Sequence, residues 1–88
     1  MEWNNELVKD VLHVGDEVEI FLMSNKKIYG YFTDVTEELM IITSKVMGNM
    51  FTENYILLED IDLISKIFYI KTKNIEPIKK IKNDKKNN

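Results

Sequence analysis

The chain has no cysteine, no arginine, one histidine, one proline and three glycines. Without cysteine it forms neither disulfides nor thiolate metal sites. The single histidine, His13, excludes a multi-histidine metal centre within one subunit. Without arginine, bidentate guanidinium recognition of phosphate or guanine is excluded. There is no phosphate-cradling glycine loop and no nucleophile elbow. No apolar run approaches the ~20 residues that span a bilayer. Met1 to Val11 carries acids and asparagines instead of an apolar run, so no signal peptide is expected. A cytoplasmic protein is the default expectation, and the lack of cysteine fits a reducing compartment.

What remains is one small domain of 88 residues. A domain of this size buries only about 60% of the surface of its unfolded chain. Small chains gain stability from disulfides, metals or self-association. With the first two disfavoured, self-association becomes an expectation. The net charge of −3 hides an asymmetry. Residues 1–62 hold thirteen acids and four lysines, and residues 63–88 hold eight lysines and two acids. An acidic body thus carries a basic tail. Such a tail either touches a polyanion such as nucleic acid or is simply solvated.

Local pattern predicts a helix followed by strands. Glu2 to His13 reads as a short amphipathic helix. Its stripe is Trp3, Leu7 and Val11, with Val8 and Leu12 beside it. Asn4 or Asn5 is the expected cap and Gly15 the expected stop. Asp16 to Met23 alternates, with Val18, Ile20 and Leu22 on one face. Ser24-Asn25-Lys26 is a turn in which Asn25 suits positive φ. Lys27 to Val35 is the second strand, and Gly30 in its middle marks a bend or bulge. Leu39 to Lys45 is the third, with a run of apolar residues that suggests burial on both faces. Val46 to Asn54 is less regular, with Gly48-Asn49 as a hairpin tip. Tyr55 to Leu58 reads as the fourth strand, Glu59-Asp60 as a tight turn, and Ile61 to about Thr72 as the fifth. In that last strand Ile61, Leu63 and Ile67 are expected to point inward. Five short strands with tight turns favour a strongly curled sheet that closes into a small barrel, with the helix over one open end.

Three stretches carry a family likeness. They are Leu12-His13-Val14-Gly15-Asp16-Glu17-Val18-Glu19-Ile20, then Ile28-Tyr29-Gly30-Tyr31-Phe32 with Val35 and Leu39-Met40-Ile41-Ile42, then Ile56-Leu57-Leu58-Glu59-Asp60-Ile61-Asp62-Leu63-Ile64. Over residues 5–70 the order and spacing resemble the Sm/LSm family of small β-barrels, Hfq-like members included. That resemblance implies RNA binding and a homo-oligomeric ring, hexameric or heptameric. In the family the fourth strand of one subunit pairs with the fifth of the next. The family's base-reading positions differ here. Thr36 stands where an aspartate is usual, Met40 where an asparagine is usual, and Leu58-Glu59-Asp60 where an arginine–glycine pair is usual. Met40 cannot read a base edge, and Glu59 repels phosphate.

Other groups have plainer readings. His13 reads as a solvated or helix-terminal histidine, with no nucleophile beside it. Glu37-Glu38 read as loop charges. Glu59, Asp60 and Asp62 lack a calcium-loop pattern. Met40 reads as core, whereas Met47 and Met50 are open between core and an adaptable binding surface. Tyr29 and Tyr31 share an outward face near Lys26 and Lys27. They either stack bases beside phosphates or pack across an interface or under the helix.

The expectation is therefore a mostly-β chain. A short N-terminal helix precedes a five-stranded, strongly bent Sm-like barrel in residues 1–72, and residues 73–88 form a basic tail. Catalysis, cofactors and metals are not expected. The RNA-binding candidates are Lys26, Lys27, Tyr29, Tyr31, Lys79, Lys80, Lys82, Lys85 and Lys86. The oligomer-interface candidates are Tyr55, Ile56, Leu57, Leu58, Ile64, Ile67 and Tyr69. The partner is a second copy of the chain, with RNA or a protein beyond it and no membrane. The alternative is a protein-interaction or assembly module on the same barrel, without RNA binding.

Overall fold

A computed structural model of the chain describes residues 2–70. Residues 73–88, the expected basic tail, lie outside the described residues. One helix, α1 (Asn5–Val11), precedes five strands: β1 (Glu17–Leu22), β2 (Lys27–Val35), β3 (Leu39–Met47), β4 (Met50–Leu57) and β5 (Ile61–Ile67). A 3-10 turn, Leu58–Asp60, joins β4 to β5. All pairings are antiparallel, in the order β4-β3-β2-β1-β5.

That order forces the sheet to curl. β4 and β5 are the two edges, yet only three residues separate them in sequence. A flat sheet would hold its outer strands about 19 Å apart, at roughly 4.8 Å per step. Four residues of fully extended chain reach at most about 14 Å, and a 3-10 turn much less. The sheet therefore rolls until its opposite edges meet at this corner. Irregularities at Phe21/Leu22, Phe32/Asp34 and Lys45/Met47 add local bend. The roll stops short of a closed barrel, because β4 and β5 do not pair with each other.

Gly30 permits the tightest approach. A Cβ there would lie 2.5 Å from the Thr43 carbonyl oxygen and 2.7 Å from Ile42 Cγ2. The bend expected at this glycine is thus a close contact between β2 and β3. The Ser44 hydroxyl occupies the space and donates to the Tyr29 carbonyl.

Each element adds to one core: Val8 and Leu12, Val18 and Ile20, Phe32 and Val35, Met40 and Ile42, then Ile56, Leu58 and Ile61. The helix is shorter than the pattern predicts. Asn4 caps it through the Leu7 N–H at 2.8 Å, and it ends at Val11, before Gly15. Gly15 instead serves a later turn, at φ +97°. The buried stripe centres on Val8 and Leu12, while Val11 is exposed. The helix bridges the roll. Asn5 Nδ2 donates to the Val35 carbonyl, Trp3 Nε1 to the Asp62 carbonyl, and Lys66 Nζ to the Val11 carbonyl.

Two further expectations change. β4 begins at Met50, not Tyr55, because Met47 pairs with Met50 across a two-residue loop, Gly48-Asn49. Gly48 has φ +52° at the first loop position, where a type II′ hairpin turn places its glycine. In β5 the inward residues are Ile61 and Ile64, not Leu63, which is exposed. The register shift between Phe21 and Leu22 moves Leu63 opposite Phe21 and Ile64 opposite Ile20, which flips the inward set.

Candidate functional site

Three surfaces carry chemistry. The first is the outward face of β1 and β2. Register sets Tyr31 across from Glu17, Tyr29 across from Glu19 and Lys27 across from Phe21. The Tyr29 hydroxyl donates to the Glu17 carboxylate, and that bond pushes the phenol pKa well up. Lys27 Nζ pairs with Glu19 Oε2 at 3.2 Å and sits 6.0 Å from the Phe21 ring centroid. Tyr29, Tyr31, Lys26 and Lys27 are all exposed. Lys27 and the Tyr29 hydroxyl, however, are already engaged by carboxylates.

The second is a cavity of about 250 Å³ lined by Glu2, Trp3, Glu37, Glu38, Leu57, Leu58 and Glu59. It unites the β2–β3 turn and the β4–β5 turn, which the Leu58 N–H to Glu38 carbonyl bond holds together at 2.8 Å. Glu37 and Glu38 read in sequence as loop charges, and Glu59 as a neighbour of Asp60 and Asp62; the rolled sheet instead gathers the three glutamates around Trp3. These are also the turns that the Sm/LSm resemblance points to for base reading. Met40, the position nearest to a base reader in that comparison, is fully buried and has no access to a ligand. Thr36 is spent within its own turn, where its Oγ1 accepts the Leu39 N–H. Four carboxylates around one opening disfavour phosphate. Among the described residues, no three histidine, aspartate or glutamate side chains are arranged to hold a metal ion.

The third surface is the pair of free edges. Tyr55 and Leu57 are exposed on β4, as are Tyr69 beyond β5 and Leu63 within it. Tyr55 donates to Glu53 Oε1 at 2.6 Å, which raises its pKa. Ile56 and Leu58, expected at an interface, are buried inside the single chain. Ile64 packs partly against the same core, and Ile67 is half-buried. β4 starts at Met50, five residues before the expected Tyr55. Its signal was the two-residue loop at Gly48-Asn49, which implies that Met50 is already strand.

His13 is exposed near Asp16, with 4.0 Å between Nδ1 and Oδ2. The Asp16 carboxyl is held below its ordinary value, chiefly by the His13 backbone N–H. It serves the turn, with Lys66 Nζ 3.4 Å away.

No family model matches the chain, no curated protein matches it, and no solved structure matches it. Among the described residues, no helix is long and apolar enough to cross a membrane.

Proposed function

We propose that the chain is a non-catalytic subunit with an Sm-like rolled sheet, which assembles with copies of itself into a ring and contacts RNA. The observation that carries this reading is the strand order. Among the described residues it leaves β4 and β5 as the two edges without an outer partner, and these are the strands that pair between subunits in the family the sequence resembles. Unpaired edges invite strand addition. Two different edges joined head to tail form a closed ring when the rotation between copies closes.

RNA contact then falls to lysine and aromatic side chains outside the acidic cavity. Lys26, Lys27, Tyr29 and Tyr31 offer exposed groups on the sheet. Lys79, Lys80, Lys82, Lys85 and Lys86 offer the counter-charges of the tail. Binding through such phosphate contacts weakens steeply with salt.

The test is native mass by light scattering, followed by RNA binding with and without residues 73–88. A mass of six or seven 10.4 kDa subunits, with RNA affinity lost on tail deletion, is the expected result. A stable monomer sinks the ring. A ring that takes up no RNA at low salt sinks the RNA role.

One observation favours a second reading, a protein-interaction module without RNA. Four glutamates surround Trp3, and Met47, Met50 and Phe51 stand exposed at the hairpin. Capture of a basic protein that persists after ribonuclease treatment supports this reading over the first.

A further inference from the structure

The β3–β4 hairpin outruns the core. The last inward pair with apolar character is Ile42 opposite Asn54. Asn54 Nδ2 donates to the Ile42 carbonyl and to Ser44 Oγ, closing the core with polar groups. Beyond that point every residue from Lys45 to Glu53 is exposed. The projecting ribbon carries Val46, Met47, Met50 and Phe51, with Met47 67% and Phe51 56% exposed. A two-stranded ribbon bare on both faces is marginal in water. At the other edge the chain leaves β5 through Phe68, Tyr69 and Ile70, and Tyr69 is 80% exposed.

We propose that the arm of one copy lies against residues 67–70 of the next copy, so that the interface continues past the β4–β5 ladder as a methionine–aromatic contact. This inference rests on the edge-to-edge reading and gives it a location. Antiparallel pairing, the more stable arrangement, sets the start of β4 beside the end of β5. A strand added to a sheet must also keep its faces, since a one-residue slip turns every side chain over. Ile56 faces inward with Met40, which leaves Phe51, Glu53, Tyr55 and Leu57 facing outward. Ile64 faces inward with Ile20, which leaves Leu63, Ser65 and Ile67 outward. The face-matched registers that overlap the strands most fully set Tyr55 opposite Leu63 or Ser65. Phe51 then falls opposite Ile67 or Tyr69, and Met50 opposite Phe68 or Ile70. Thioether–aromatic contacts suit these residues. The occupant is a second copy because the two surfaces complement each other and, among the described residues, neither β4 nor residues 67–70 pair with the other.

The chain has no cysteine, so single introduced cysteines report without background. Phe51→Cys is mixed with Ile67→Cys or with Tyr69→Cys, oxidised, and resolved without reductant. The expected result is a two-chain product in one of these mixtures and in neither variant alone, because directly opposed strand positions fall within disulfide reach. The product identifies the register. A cross-link from Phe51→Cys to Leu63→Cys instead indicates parallel pairing and overturns the inference. Phe51→Asp is expected to lower the native mass to that of a monomer that keeps the parent's strand signal in circular dichroism. An assembly that persists in Phe51→Asp and yields no cross-link overturns the arm contact and leaves the ring standing. A monomeric parent chain overturns both.

Discussion

At Gly30 the approach of β3 leaves no room for a methyl group, and two of the three nearest obstacles are hard to move. The Thr43 carbonyl is backbone, and Ile42 is fully buried. Gly30→Ala should therefore destabilise the chain by about 1–3 kcal/mol, as overpacking does, read from urea midpoints at constant slope. Asp16 makes the pH-dependent contribution at this scale. Its folded pKa lies below the ordinary 3.8, first through the His13 N–H and then through Lys66, against an opposing desolvation effect. A lowered carboxylate pKa stabilises the fold above the unfolded value and loses that contribution as pH falls through the folded one. Asp16→Ala should lower Tm at neutral pH, and the difference should shrink as pH drops below about 3.8. A gap that stays constant with pH would show that the charge is irrelevant. Single residues were legible in sequence where local geometry decides them. Asn25 at φ 71° and Asn4 at the cap are of this kind. The gathering of Glu37, Glu38 and Glu59 around Trp3 was not legible, because it depends on how the sheet rolls.

At the scale of elements, alternation located β1 and β2 well, since one face of each is buried; β3 was placed by its apolar run, of which Met40 and Ile42 are buried while Leu39 and Ile41 on the other face are only half-buried. Alternation failed for the first half of β4, where both faces are exposed and no alternation is required. It also failed for the inward set of β5, whose phase is fixed by a register shift in β1. The helix was visible, and so were Val8 and Leu12 beside its stripe, but not that these two rather than Val11 are the buried centre. Val8 and Leu12 take the core because the ties from Trp3, Asn5 and Lys66 set the helix's rotation. With only seven residues, α1 depends on its cap and on packing. Asn4→Ala should cost about 1 kcal/mol, measured by thermal unfolding, while Asn4→Asp should cost less.

The whole molecule sets two salt effects against each other. The proposed assembly would pack several acidic bodies together, and their mutual repulsion would be screened as ionic strength rises. The proposed RNA contact through lysines would behave in the opposite way. Raising salt should therefore shift native mass upward, or leave it unchanged, while RNA affinity falls. Sedimentation and filter binding over the same salt series separate the two. If both weaken together, self-association is being held by RNA. A rolled sheet under a short helix could be read from the spacing of strands and turns. The open edges could not, since alternation reports which face a residue takes and not which strand neighbours which.

The position of β5 has a consequence in time. β1 to β4 form a meander in which each strand meets the next along the chain. β5 instead pairs with β1, and Glu17 meets Ile67 across 50 residues of sequence. Closing so long a loop costs entropy before any contact rewards it. During synthesis, β1 to β4 are therefore complete while the outer side of β1 still awaits its partner, and that side is a bare sheet edge until residues 61–67 arrive. Docking of β5 is therefore the step expected last in folding. Ile64→Val should accordingly speed unfolding far more than it slows folding, as a chevron plot will show, and the nascent chain is expected to be most prone to aggregate in the interval just before residues 61–67 are made.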